Sequence, residues 1–300
     1  MANIHILGAG AIGLSLANAF SRAHHTTLLV RREYATPFTF YHDQKSHVLP
    51  VEHINIYSLT QRSLVISNCF ICVKAYQLAH AFYSIFPYLT EQANVFISHN
   101  GMTNLNEFKQ HLRPKQALFF FSTSMGGLKI NDTTVQATGV GETYLGVSNA
   151  TASERLSYCF SEFFSSLLPH SRIHPDIEQL RWQKLLVNIA INPLSAIHQI
   201  RNGQLRQPKY ASTILQLLNE ACTVARAEKI DVELSEALTT AYQVMARTQN
   251  NSSSMAQDVL NNRKTEVEAI CGYIVQRGEH HSIDTPFNRK MLIQLLDSHN

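Results

Sequence analysis

Long apolar runs are missing from this 300-residue chain. No stretch reaches the roughly 18 uncharged apolar residues that a membrane-spanning helix needs, so no membrane span is expected. An excess of one charge is missing too. The 25 Lys+Arg against 22 Asp+Glu leave a net charge of +3, and no basic run is longer than the pair Arg31-Arg32. That is too little for a general nucleic-acid footprint. With 45% hydrophobic and 16% charged residues, the chain also lacks the composition of a disordered protein. Cysteine is sparse and odd in number: Cys69, Cys72, Cys159, Cys222 and Cys271. Five argue against a disulfide framework and for a reducing, cytoplasmic setting. Cys69 and Cys72 form a C-x-x-C, but within the apolar VISNCFICV, which reads as a buried strand. No second pair follows at zinc-site spacing, so a structural role is expected. The 15 histidines are many, yet His24-His25 and His280-His281 lack helical ligand spacing, and no metal is expected. The opening MANIHILGAG has no basic segment before a long apolar run, unlike a signal peptide.

Glycine is scarce as well, at 12, which makes its placement informative: three fall within Gly8-Ala9-Gly10-Ala11-Ile12-Gly13. This G-x-G-x-x-G follows the strand-like Ile4–Leu7 and opens the helix-like Ile12–Phe20. The first glycine permits the tight turn and the second lets backbone approach a pyrophosphate. The third lets helix and strand pack closely. The helix start then offers free N–H groups to the phosphates. A dinucleotide site over Gly8–Gly13 is therefore expected.

An NAD site usually places Asp or Glu about 20 residues further on. Here the second strand ends Leu28-Leu29-Val30-Arg31-Arg32. A guanidinium fits a phosphate by paired, charge-assisted hydrogen bonds, which favours NADPH over NADH. The adjacent Glu33 offers a carboxylate in competition, and a solvated strand end is the structural alternative.

The first half alternates short strands with helices. Strands are expected at Asn3–Leu7, Thr27–Val30, Ser63–Val73, Asn94–Ser98 and Ala117–Thr123. Helices are expected near Ile12–Arg22, Ala75–Phe86 and Leu105–His111, with another over Thr151–Leu168. Such alternation implies βαβ units and a parallel sheet with helices on both faces. The β-like Gly126–Ile130, Thr133–Thr138 and Thr143–Val147, with Gly139 and Gly141 at a turn, are expected to extend that sheet at its edge. After Pro175 the texture turns helical and only Gly203, Gly272 and Gly278 remain. The expected organisation is α/β: a doubly wound domain over 1–174 and an all-helical domain over 175–300.

Within the helical half, Leu180–Ile197 reads LRWQKLLVNIAINPLSAI. Lys184, Asn188 and Asn192 interrupt an otherwise apolar run at spacings of four. They form one stripe along a helix, drifting by about 40° per step. Polar groups among Leu185, Leu186, Val187, Ile189, Ala190 and Ile191 must be hydrogen-bonded or hydrated. The stripe is read as lining a polar cleft, with Pro193 bending the helix just beyond it; an exposed polar face is the alternative. Ser254 with Gln257, and Thr265 with Glu268, have capping-box spacing. A helix start at Ser254 also suits a substrate carboxylate. Glu266 falls in a first helical turn, where a carboxylate is favourable for its own sake. Lys74 and Asn100-Gly101 follow expected strands, at the ends where doubly wound sheets bind ligands; a loop-surface role is the alternative for both.

Taken in order, these segments resemble the ketopantoate reductase family. The resemblance rests on GAGAIG at 8–13, VKAYQ at 73–77, HNGM at 99–102 and WQKLLVNIAINPLSAI at 182–197. It continues through RNGQL at 201–205, SSM at 253–255 and RKTEVEAICGYI at 263–274. It departs at His24-His25-Thr26-Thr27, where a Gly-His-x-Val pattern is common, and over Ser124–Leu128. The resemblance implies a Rossmann domain, a helical domain and an active site in the cleft between them. It implies NADPH-dependent reduction of 2-dehydropantoate to (R)-pantoate, toward pantothenate and coenzyme A. Lys184 matches the catalytic lysine, with Glu266 orienting it or binding a substrate hydroxyl. Asn100, Asn188, Asn192, Asn202 and Ser254 match substrate-contacting or supporting positions. Lys74 matches a lysine near the nicotinamide, with Asn100 beside the cofactor. Arg31 or Arg32 matches the basic residue for the 2′-phosphate.

The rival readings are an NADPH-dependent reductase of another 2-oxo acid on this scaffold, and a non-catalytic NADPH-binding regulator. A proton donor in a cleft serves no purpose in the regulator. Monomer and homodimer both remain open.

Overall fold

The computed structural model describes residues 1–61 and 64–297. Ser63, which opens an expected strand, and residues 298–300, which close the expected helical domain, lie outside the described residues. The chain divides into two compact units. One comprises Met1–His99 and Asn104–Ile177; the other comprises Asn100–Thr103 and Glu178–Asn300.

The first unit runs β1 (Asn3–Leu7), α1 (Ala11–Phe20), β2 (His25–Val30), β3 (Thr39–His42), β4 (Lys45–Val48), β5 (Glu52–Asn55) and β6 (Ile66–Cys72). It continues with α2 (Leu78–Ile85), β7 (Leu89–Ser98), α3 (Leu105–His111), β8 (Ala117–Thr123), β9 (Gly126–Lys129) and β10 (Thr134–Gly139). It closes with β11 (Thr143–Val147), α4 (Ala150–Phe160) and β12 (Ser171–Ile173). The main sheet has the order β12-β11-β8-β7-β6-β1-β2-β5. From β5 to β8 every neighbouring pair is parallel. This is the Rossmann order, reversing between β1 and β6. The fold is α/β, as the alternation implied.

Its core explains the apolar strands. Buried on both faces, a parallel strand reads as a nearly continuous apolar run. All seven residues of β8 are buried. Phe70, Phe96 and Phe119 stand in register on β6, β7 and β8. Their rings stack with centroids 4.3 and 4.8 Å apart. Each such side chain withdrawn from water contributes roughly 1.5–3 kcal/mol. Cys69 and Cys72 are buried in β6, and burial pushes both thiols up from their ordinary range, as expected of structural cysteines.

One expectation is corrected. Thr143–Val147 does extend the main sheet, antiparallel to β8. The two preceding segments do not. They form β9 and β10 of a separate four-stranded sheet, ordered β4-β3-β10-β9. Their partners, β3 and β4, carry little strand pattern: β4 is exposed throughout. The pairing joins Thr134–Gln136 to Thr39–Tyr41, far apart in sequence, so local pattern could not reveal it. The helix expected over Thr151–Leu168 is α4, followed by a π turn at Ser161–Ser165.

The second unit holds α5 (Ile177–His198), α6 (Pro208–Ala227), α7 (Leu234–Arg247), α8 (Ser254–Leu260), α9 (Tyr273–His280) and α10 (Pro286–Asp297). Ile177 itself belongs to the first unit. The core includes Trp182, Leu185 and Ile189 of α5, Leu217 and Ala221 of α6, and Ile274 of α9. Assigned helix runs on through Pro193 to His198. Among the described residues, no helix is long and apolar enough to cross a membrane.

Candidate functional site

The loop between β1 and α1 is shaped by what its glycines lack. Gly8 has φ +116°, where side chains are strained, and a Cβ there would collide with the Cys72 carbonyl. A Cβ on Gly13 would strike the Gly8 carbonyl. Both glycines are needed by the protein's own packing. Gly10 differs: a Cβ there meets nothing within 4 Å. The protein leaves open the space that the second glycine of this motif gives to a pyrophosphate. Gly10 is also the N-cap of α1 and supplies no capping side chain. The first N–H groups of the helix, from Ala11 and Ile12 onward, thus have no side-chain cap competing with an anion. The residues fit a dinucleotide.

Lys74 and the two arginines flank this loop, because β6 and β2 lie on either side of β1. Lys74 precedes a short 3-10 turn, Ala75–Gln77. With the Gln77 amide turned to present its oxygen, Arg31 Nη1 and Nη2 donate to it at 3.2 and 3.0 Å. Arg32 is held elsewhere: Nη2 lies 2.6 Å from Asp132 Oδ2, and its guanidinium carbon lies 5.1 Å from the Tyr34 ring centre. Glu33 is exposed and lies 3.9 Å from His53 Nε2.

In the second unit, α5 carries the polar stripe. Lys184 and Asn188 are partly buried and Asn192 is buried. Desolvation lowers the Lys184 ammonium below the ordinary lysine value, and the Glu266 carboxylate opposes that shift. Glu266 immediately precedes a helical run whose Glu268–Gly272 section is a π turn, with hydrogen bonds one residue longer than in an α-helix. The Glu266 carbonyl accepts from Ala269 and Ile270 N–H, so the residue sits at the mouth of that helix.

Asn100–Thr103 dock onto this turn. Met102 N–H donates to the Ala269 carbonyl at 2.8 Å. Gly101 is needed there, because φ is +71° and a Cβ would collide with that same carbonyl. The docking brings Asn100 Nδ2 to 3.3 Å from Glu266 Oε2. Arg181, buried on α5, adds a bond from Nη2 to the Thr103 carbonyl at 3.2 Å. Asn100, Glu266 and Lys184 thus share one electrostatic environment.

The serine pair departs from the capping expectation. Ser253, not Ser254, caps α8, accepting from Ala256 N–H at 3.0 Å. Ser195 Oγ donates to Ser253 Oγ at 2.7 Å. Ser254 is the first helical residue and is exposed. Three consecutive serines, Ser252–Ser254, made the register ambiguous, and only Ser253 is buried. The Thr265–Glu268 box does not close: Glu268 instead pairs with Lys264 at 2.8 Å. Asn202 is buried and donates to Thr248 Oγ1 at 2.9 Å, while its N–H binds the Asn251 carbonyl. It anchors the chain leading to the serine pair. The supporting residues Arg181, Ser195, Ser253, Gln77 and Asp132 were not singled out from sequence. Only Ser253 carried a legible signal, as a capping residue one place earlier.

A Rossmann sheet with an open glycine loop, in a chain whose helical unit sets the Lys184 ammonium in the field of the Glu266 carboxylate, defines a dinucleotide-dependent oxidoreductase. Comparison with known proteins narrows the class. The family model for ketopantoate reductase PanE/ApbA matches residues 4–150, and the model for its C-terminal part matches 176–300. A 2-dehydropantoate 2-reductase of Vibrio cholerae is 35% identical over 293 residues, covering 98% of this chain and 96% of that protein. The chain belongs to the ketopantoate reductase family. Two solved structures share the fold. The probable 2-dehydropantoate 2-reductase of Bacillus subtilis has a TM-score of 0.82 at 24% identity, covering 99% of both chains. D-mandelate dehydrogenase with NADH and anilino(oxo)acetate has a TM-score of 0.88 at 19% identity, covering 99% of this chain and 98% of that one.

Proposed function

We propose that this protein reduces the ketone of 2-dehydropantoate to give (R)-pantoate, using NADPH. The partly buried Lys184 ammonium in the field of the Glu266 carboxylate, in a chain of the ketopantoate reductase family, carries this reading. When bound, the reduced nicotinamide supplies a hydride to the ketone carbon. Negative charge then develops on the ketone oxygen, where a cation stabilises it and a proton must be delivered. The Lys184 ammonium does both. Its lowered proton affinity favours the delivery, since an acid titrating nearer the working pH donates more readily. Glu266 keeps the ammonium charged against desolvation and orients it. Asn100, Asn188 and Asn192 offer amide donors and acceptors suited to a hydroxy-keto acid. Ser254 is the residue assigned to the carboxylate, and Asn202 supports its loop.

For the cofactor, Gly8–Gly13 would hold the pyrophosphate, Lys74 would serve the nicotinamide end, and Arg31 would take the 2′-phosphate. Arg31 is favoured over Arg32 because Gln77, its partner, is a neutral amide, whereas Arg32 already faces a carboxylate. The NADH in the structure of D-mandelate dehydrogenase makes NADH the comparison to run. The test is cofactor oxidation with 2-dehydropantoate and a panel of other 2-oxo acids, using NADPH and NADH separately. Turnover is expected with NADPH and 2-dehydropantoate. Binding of NADPH without turnover on 2-dehydropantoate would overturn the substrate assignment and leave the cofactor assignment standing.

A further inference from the structure

We infer that Asp132 is a specificity-determining residue that weakens the grip of this chain on a 2′-phosphate by holding Arg32 away from it; the inference rests on the NADPH reading above. Two adjacent guanidiniums after β2 would ordinarily both be available to a phosphate. Here they are drawn to different partners. Arg31 leans to Gln77, a neutral acceptor beyond the end of β6. Arg32 is drawn to Asp132, with Nη2 and Oδ2 2.6 Å apart, and lies near the Tyr34 ring.

The carboxylate stands on a built support. Asp132 sits in the turn between β9 and β10. Asn131 Oδ1 accepts from Thr133 N–H at 3.0 Å and Thr134 N–H at 2.8 Å, which fixes the turn. That turn is stitched to the loop after β2. Thr39 N–H donates to the Thr133 carbonyl at 2.8 Å, and the Thr36 and Thr133 hydroxyls lie 3.3 Å apart. The second sheet therefore delivers a negative charge to the end of the strand where cofactor choice is made. Lys129 Nζ, 3.9 Å from Asp132 Oδ1, shares that charge without cancelling it.

The pair is exposed on both sides, with side-chain exposures of 57% and 68%. Solvent screening keeps such a pair weak. Asp132 is thus an attenuator rather than a block: a phosphate can compete for Arg32, at a modest cost.

The experiment is calorimetric titration of the full chain with 2′,5′-ADP and with 5′-AMP, which differ by the 2′-phosphate and need no turnover. Wild type is expected to prefer 2′,5′-ADP. D132N is expected to bind 2′,5′-ADP about three- to tenfold more tightly, the scale of one screened charge contact. Its affinity for 5′-AMP should stay within about twofold, since no phosphate is added or removed near Asp132. In R32A/D132N the gain should vanish, leaving the affinity of R32A. Equal shifts for both nucleotides in D132N, or no shift, would overturn the inference while the preference of wild type stands. A wild type that binds the two equally would instead overturn the NADPH reading itself.

Discussion

The glycine loop and the Lys184 helix solve opposite problems. At Gly8–Gly13 the site is made by leaving side chains out, so that backbone can turn tightly and approach a ligand. Around Lys184 it is made by putting polar side chains where apolar ones would pack, and each must find a partner. The first device is local: six consecutive residues hold nearly all of it. The second is distributed over α5, the Asn100–Thr103 segment and the turn at Glu268–Gly272, which only the folded chain brings together.

Removing the side chain proposed to carry the chemistry should separate the two most sharply. Lys184→Ala is expected to lower kcat by about 10²–10⁴-fold, the range for loss of a general acid. Its NADPH affinity, read by quenching of cofactor fluorescence, should be unchanged. Unaltered turnover would remove Lys184 from its role.

Gly101→Ala attacks the distributed site through its backbone. A side chain at φ +71° against the Ala269 carbonyl displaces the segment carrying Asn100. A loss of ~10–100-fold in kcat is expected, because misplacement by about 1 Å carries that scale of penalty. NADPH affinity should again hold, and a parallel loss of cofactor binding would show that the two devices are coupled.

Within the glycine loop, Gly10 and Gly13 should behave differently. Gly10→Ala meets no protein atom, so melting is expected to stay within about 2 °C of wild type. Its NADPH Kd should nevertheless rise by about tenfold, the equivalent of ~1.4 kcal/mol lost at the phosphates. Gly13→Ala must displace the Gly8 carbonyl and should lower Tm by several degrees, from ~1–3 kcal/mol of overpacking. Equal Tm values for the two variants would contradict the division between packing glycine and ligand glycine.

The subtlest effect concerns protons. In the proposed reaction the active form of Lys184 is protonated, so kcat is expected to fall as pH rises through its pKa. Burial sets that fall below the ordinary lysine value, while Glu266 pulls it back up. Glu266→Gln removes the opposing charge, and the alkaline limb of the kcat profile should move to lower pH. A limb that stays in place would show that Glu266 does not act on the ammonium.

Legibility followed the same division. Asn3–Leu7, Leu105–His111 and Ala117–Thr123 were readable to the residue, because their apolar patterns are set by local burial. The sheet of β3, β4, β9 and β10 was not, since TFYH and KSHV carry no alternation and gain their structure from distant partners. The capping serine was misplaced by one residue because Ser253 and Ser254 are chemically identical. What separates them is the buried Ser195 hydroxyl, supplied by α5.

The glycine loop, the α/β alternation, the helical second half and the Lys184 stripe are all encoded locally in the order of residues. Each of these rests on spacing within about one turn or strand, where backbone sterics and periodic burial act directly. It took folding to bring Asn100 to Glu266, to make Ser253 rather than Ser254 the cap of α8, and to part Arg31 and Arg32 toward Gln77 and Asp132. Those outcomes depend on hydrogen bonds and charges meeting across stretches of chain as long as 166 residues, and such meetings exist only once the chain has folded.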